Sequence, residues 1–208
     1  MKKIAVFGGS FDPPHLGHRA LVTYAQHVLA LDEVWVIPVG QAVHRSLTAS
    51  ISAEQRLHWV QALFKEVSAV KVLDWEVNAC CPTPSIESMQ RIANNLDVVP
   101  YWLMGMDAWQ GMPTWVGYPQ HQSLCHVVVV NREGEQACHH QEWRVVASPS
   151  KPCAGCVSYI QDAPPNISAS QIRQAILTGQ DVSTVLDAKK SNEICAAYGA
   201  CDVNRGQE

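Results

Sequence analysis

A doubly wound α/β fold, with helices on both faces of one mostly parallel sheet, follows from three features of this 208-residue chain. Short apolar, β-branched runs recur as strands buried on both sides, helical patterns separate them, and a glycine-rich turn follows the first strand. Ile4 to Phe7 is the first such run and Arg19 to Leu31 the first helical pattern. Glu33 to Val39 is the second strand and Ala53 to Lys65 the second helix. Val70 to Trp75 adds a strand, and Ser85 to Asn95 sets Ile86, Met89 and Ile92 on one face of a third helix.

Tyr101 to Met104 and His126 to Val130 read as further buried strands. The polar stretch Gly134 to Pro152 predicts a loop region with one short strand at Trp143 to Val146, and Val157 to Ile160 the last strand. Ser168 is suited to cap a helix that starts at Ala169 and stops at Gly179, and a final helix is predicted over Ser191 to Tyr198. The length fits a single domain over 1–208 with a C-terminal helical part at about 164–200. This Rossmann-like alternation places ligands at the carboxyl ends of the strands.

Composition narrows the function. Apolar residues at 47% and charged residues at 16% predict a chain that folds without a partner. A net charge of −4 excludes a general nucleic-acid surface, so any phosphate must be gripped locally. No stretch approaches the roughly 20 apolar residues of a membrane span, and Met1-Lys2-Lys3 leads into a strand rather than a signal-peptide core, so a cytoplasmic location is expected. Eight cysteines without an export signal are expected to be reduced thiols. Cys153-Ala154-Gly155-Cys156, with Cys138-His139-His140 upstream, has metal-like spacing, and whether these cysteines meet around a metal stays open. No residue set is assigned as a metal site, and a homo-oligomer is compatible with the sequence.

Three segments carry chemistry. Gly8-Gly9-Ser10-Phe11-Asp12-Pro13-Pro14-His15-Leu16-Gly17-His18 lies between a strand and a helix. Its glycines permit close approach of a ligand, the helix N-terminus attracts an anion, and two imidazoles three residues apart can face one phosphate chain. Ile167-Ser168-Ala169-Ser170-Gln171-Ile172-Arg173 opens a helix with two hydroxyls and a guanidinium, all suited to phosphate. Gly105 and Asp107 end a strand where a carboxylate can accept ribose hydroxyls, and Trp109 and Trp115 follow with indole faces for a heteroaromatic ring.

Together the three segments resemble the H-x-G-H, I-S-S-T-x-I-R and G-x-D…P-x-W signatures of the nicotinate mononucleotide adenylyltransferases, a family of the H-x-G-H nucleotidyltransferase superfamily. The resemblance implies adenylyl transfer from ATP to nicotinate mononucleotide, giving nicotinate adenine dinucleotide and pyrophosphate. It implies catalytic roles for His15, His18 and Arg173. ATP and its phosphates would be bound by Gly8, Gly9, Ser10, Phe11, Gly105, Asp107, Ile167, Ser168 and Ser170, with Mg²⁺ bridging phosphate oxygens. The pyridine mononucleotide would be bound by His44, Arg45, Ser85 and Trp115. The acceptor half departs from the family pattern: Ala42 and Val43 replace two prolines, Pro84 replaces a tyrosine, and Ala169 replaces a serine. Other readings stay open, namely nicotinamide mononucleotide or phosphopantetheine as acceptor, or a nucleotide-binding regulator without turnover.

Overall fold

The computed structural model describes residues 2–43, 47–48, 50–79, 81–131, 138–161 and 167–199. Seven strands form its sheet: β1 (Ile4–Gly9), β2 (Glu33–Pro38), β3 (Val70–Val72), β4 (Tyr101–Gly105), β5 (His126–Val130), β6 (Arg144–Val145) and β7 (Cys156–Ile160). Their order is β3-β2-β1-β4-β5-β7-β6, and every pairing is parallel. The chain winds outward from β1 through β2 to β3, then crosses back to lay β4 on the other side of β1. That reversal leaves a crevice at the carboxyl ends of β1 and β4.

Strand side chains alternate between faces, so each strand feeds two cores. Ala5, Phe7, Leu103 and Val128 pack with α1 (Leu16–Leu29) and α2 (Ala53–Phe64) on one face. Val6, Trp102, Met104 and Val127 pack with α3 (Ser85–Asn95) and α4 (Met106–Gly111) on the other. A third, smaller cluster joins Ile51 and Trp59 to α5 (Ala169–Leu177) and α6 (Ser191–Gly199), through Ile172, Ile194 and Tyr198. Among the described residues no helix is long and apolar enough to cross a membrane.

The differences from the predicted elements have local causes. Helix α1 begins at Leu16 rather than Arg19 because His15 takes the N-cap position, and imidazole is a weak capping signal in a sequence. Strand β3 ends at Val72 instead of Trp75: Asp74 accepts the Asn78 amide N–H at 2.8 Å and starts a turn. Helix α4 was not predicted, being too short for a helical period to show. Trp143 leaves the edge strand and is buried edge-on against Trp109 at 5.6 Å. The expectation of reduced thiols fails at one place, because Cys153 and Cys156 are joined as a disulfide. Cys138 stands apart from them, its carbonyl accepting the Trp109 indole N–H.

Candidate active site

At the crevice beside β1 lies a cavity of about 450 Å³. Gly8, Gly9 and Ser10 bound it from the end of β1, Ile37 and Val39 from the end of β2, and Met104 and Asp107 from the end of β4. Ser85, Ser88, Met89, Trp102 and Trp115 complete an apolar wall with few polar groups. Of the predicted site residues, Gly8, Gly9, Ser10, Asp107, Ser85 and Trp115 therefore share one cavity. Asp107 sits in the first turn of α4, exposed, rather than at the strand end proper. Gly105 is the N-cap of that helix and is not among the lining residues. Trp109 is fully buried in the core, so of the two tryptophans singled out from the sequence Trp115 is the one that lines the cavity, beside Trp102.

His15 and His18 stack with ring centroids 3.7 Å apart, and His18 Nδ1 accepts the His15 backbone N–H at 3.2 Å. That bond places the His18 ring proton on Nε2 in the neutral form. Gly17 makes the pairing feasible, since a side chain there would lie 2.9 Å from His15 Nδ1 and 3.1 Å from Ile167 Cβ. Phe11 is buried, with its ring 4.8 Å from His18 and 5.7 Å from Phe7. Its side chain is thus packed against His18 and is not among the residues that line the cavity.

The two phosphate segments meet at Asp12, which is 3% exposed. Its carboxylate accepts the Tyr198 hydroxyl at 2.5 Å and the Thr48 N–H and hydroxyl at 3.1 and 3.2 Å. Arg173 lies 3.8 Å from the same carboxylate, donates to the Asp12 carbonyl, and bonds Ser170 Oγ at 3.1 Å. Burial, reinforced by the adjacent carboxylate, pushes the Tyr198 phenol above its ordinary range. Ser168 occupies the N-cap of α5 but its hydroxyl makes no capping bond, and Ile167 serves as apolar packing beside Gly17. His44 and Arg45 lie outside the described residues.

Several residues of this region were not singled out from the sequence as site residues. Asp12 stood inside the first segment without a role. Arg56 is 1% exposed and holds the carbonyls of Ser10, Val39 and Gly40 at 2.6–2.7 Å. It ties the ends of β1 and β2 together, and its place on the apolar stripe of α2, with Trp59, Val60 and Leu63, was the readable signal. His121 is fully buried and shares a 3.2 Å bond with Ser85, and burial pushes its imidazole down to about 4, so it stays neutral. Ser85 is in this way held by a neutral partner on the wall of the cavity.

Glu76 also lines the cavity, accepting the Ser88 hydroxyl at 2.6 Å. Burial raises its carboxyl to about 7, against the opposing pull of that bond. A raised acid is favoured protonated in the fold, so its contribution to stability is complete below pH 4.5 and is lost as the pH climbs toward 7. Glu76→Gln should remove this slope. In urea unfolding from pH 4 to 8, the wild type should lose about 1–3 kcal/mol relative to the variant across that window.

Comparison with known proteins accounts for this arrangement. The cytidylyltransferase-like family model matches residues 6–175, which include both phosphate segments and the cavity. A Pseudomonas aeruginosa protein described as a probable nicotinate-nucleotide adenylyltransferase is 31% identical, over 87% of this chain and 89% of its own length. The chain belongs to the cytidylyltransferase-like family, in its nicotinate-nucleotide adenylyltransferase group. A Pseudomonas fluorescens family member of the same description is 30% identical over the same shares. The nicotinic acid mononucleotide adenylyltransferase of Plasmodium falciparum, solved with NaAD, shares the family fold with a TM-score of 0.73 at 16% identity, over 99% of this chain and 100% of its own.

Proposed function

We propose that this chain catalyses, in the cytoplasm, adenylyl transfer from ATP to nicotinate mononucleotide, releasing pyrophosphate. The observation that carries the reading is the junction at β1, where a stacked histidine pair at a helix start adjoins an aromatic cavity at a sheet switch point. The acceptor phosphate is already an anion and attacks the α-phosphorus in line. The bond to the β-phosphate oxygen breaks as the new bond forms, so no protein nucleophile is needed. The site's work is positioning and charge stabilisation.

His18 and His15 donate to the phosphate oxygens as charge moves toward the leaving pyrophosphate, with the Gly8–Ser10 backbone alongside. Arg173 and Ser170, already paired at 3.1 Å, hold the outer phosphates together with Ser168. Asp107 receives the nucleotide ribose, and Trp115 and Ser85 the pyridine nucleotide, a cavity of about 450 Å³ being ample for a pyridine ring and its amide or carboxylate. Among the described residues no group of three or more His, Cys, Asp or Glu could hold a metal ion. Mg²⁺ would arrive on the triphosphate, bound by phosphate oxygens and not by a protein carboxylate, and would neutralise phosphate charge.

Pyrophosphate release with ATP and, in turn, nicotinate mononucleotide, nicotinamide mononucleotide and phosphopantetheine tests the reading, with kcat/KM for the nicotinate form expected to be highest. Phosphopantetheine as the best acceptor, or turnover with none, would overturn it. Trp115→Ala should raise the acceptor KM by about 5- to 100-fold through lost stacking, with little change in the KM for ATP.

A further inference from the structure

At the opposite, amino end of the sheet, the turn before β7 brings two sulfurs, a guanidinium and an imidazole together. We propose that Cys153 and Cys156 are a reversible dithiol–disulfide site that exchanges with thiol compounds, Cys153 being the sulfur attacked and Cys156 the leaving thiolate.

The turn is fixed on both sides. The Cys153 N–H donates to His126 Nδ1 at 3.2 Å, the Gly155 N–H to the Cys125 carbonyl at 3.2 Å, and the Arg144 N–H to the Gly155 carbonyl at 2.9 Å. Gly155 adopts φ +71°, a left-handed conformation that glycine accepts without strain. Because β5, β6 and β7 hold the turn, the two sulfurs stay neighbours in either redox state, which favours closing the bond between them over pairing with a stray thiol.

Access and charge then separate their roles. Cys156 is fully buried and Cys153 is half-buried, so an incoming thiolate reaches Cys153 first. Arg144 Nη2 lies 3.1 Å from Cys156 Sγ and 3.6 Å from Cys153 Sγ. Its charge stabilises a thiolate on Cys156, and a leaving sulfur of lowered basicity departs faster. His126 adds no charge: its Nδ1 accepts the Cys153 N–H, its Nε2 meets Ser158 Oγ at 3.0 Å, and burial with the nearby Arg144 pushes it down to about 4. Among the described residues the cation at the pair is Arg144.

The exchange balances with an external dithiol as reductant. Its thiolate forms a bond to Cys153 Sγ while the Cys153–Cys156 bond breaks and its electron pair leaves on Cys156. The second thiol of the reductant then attacks its own sulfur in the mixed disulfide, freeing Cys153 as a thiolate. The protein gains two electrons and, after protonation, two protons, and the reductant becomes a disulfide.

The test uses the full folded chain equilibrated with graded ratios of reduced and oxidised dithiothreitol, then acid quench, alkylation and mass measurement of the peptides bearing Cys153 and Cys156. Both should change together by two thiols, reversibly, while circular dichroism stays native. In Cys156→Ser, glutathione disulfide should form a mixed disulfide at Cys153. Arg144→Gln should slow reduction of the pair by about threefold or more, and Arg144→Lys should restore most of the rate. The proposal fails if the thiols stay free under fully oxidising ratios, if the bond opens only when the chain unfolds, or if Arg144→Gln reduces at the wild-type rate. None of these readouts depends on adenylyl transfer.

Discussion

Replacing His18 with alanine should lower kcat by about 10²-fold or more while ATP affinity changes by only a fewfold. The asymmetry comes from the geometry of the pair. His18 Nδ1 is taken up by the His15 N–H, so the ring offers Nε2–H as its donor in a fixed direction, and His15 stacks on it at 3.7 Å. Such a preset donor would do most for the state in which phosphate charge has spread, and less for the ground state, where on the proposed reading the loop N–H groups and Arg173 would already bind. The same substitution removes the acceptor of the His15 N–H and should cost about 1 kcal/mol of stability. Steady-state pyrophosphate release, ATP titration and thermal unfolding on one preparation separate these effects. Turnover within a fewfold of wild type would remove His18 from the chemistry.

Asp12→Ala should have the largest effect on stability. The substitution leaves the buried Tyr198 hydroxyl and the Thr48 N–H and hydroxyl without their acceptor and takes the countercharge from beside Arg173, which keeps its bonds to the Asp12 carbonyl and Ser170. Removing one partner of a buried charged network costs about 3–5 kcal/mol, reduced here because the Arg173 side chain is 30% exposed, so about 2–4 kcal/mol is expected. Urea unfolding measures it. Tyr198→Phe, which removes a single bond and leaves the carboxylate with Thr48 and Arg173, should cost about 1 kcal/mol. If Asp12→Ala proved no worse than Tyr198→Phe, the carboxylate would not be the centre of the network.

The strands were legible because each is a short apolar run bounded by glycine, proline or polar residues, and such runs have few alternatives in a chain of this composition. His126 to Val130 and Ser85 to Asn95 have the predicted limits. Short elements escaped: α4 has six residues, less than two helical turns, and follows its strand with no connecting loop. The phosphate segments were legible for a different reason, since backbone turns and paired imidazoles need particular residues at fixed spacings. What those segments grip in the folded chain was not. Asp12 draws its partners from positions 48, 173 and 198, and Glu76 meets Ser88 across a turn. A linear pattern does not show which distant hydroxyl will face a given carboxylate. The same limit hid the role of Arg56, whose guanidinium serves main-chain carbonyls that carry no side-chain signature.

The Tyr198–Asp12 bond spans 186 positions of sequence, nearly the whole described chain. The sheet pairs its strands without the C-terminal helices, whereas the loop after β1 is held to α6 by that hydroxyl and to α5 by Arg173. Shortening the chain before Tyr198 should therefore loosen that loop while leaving the strand order of the sheet in place.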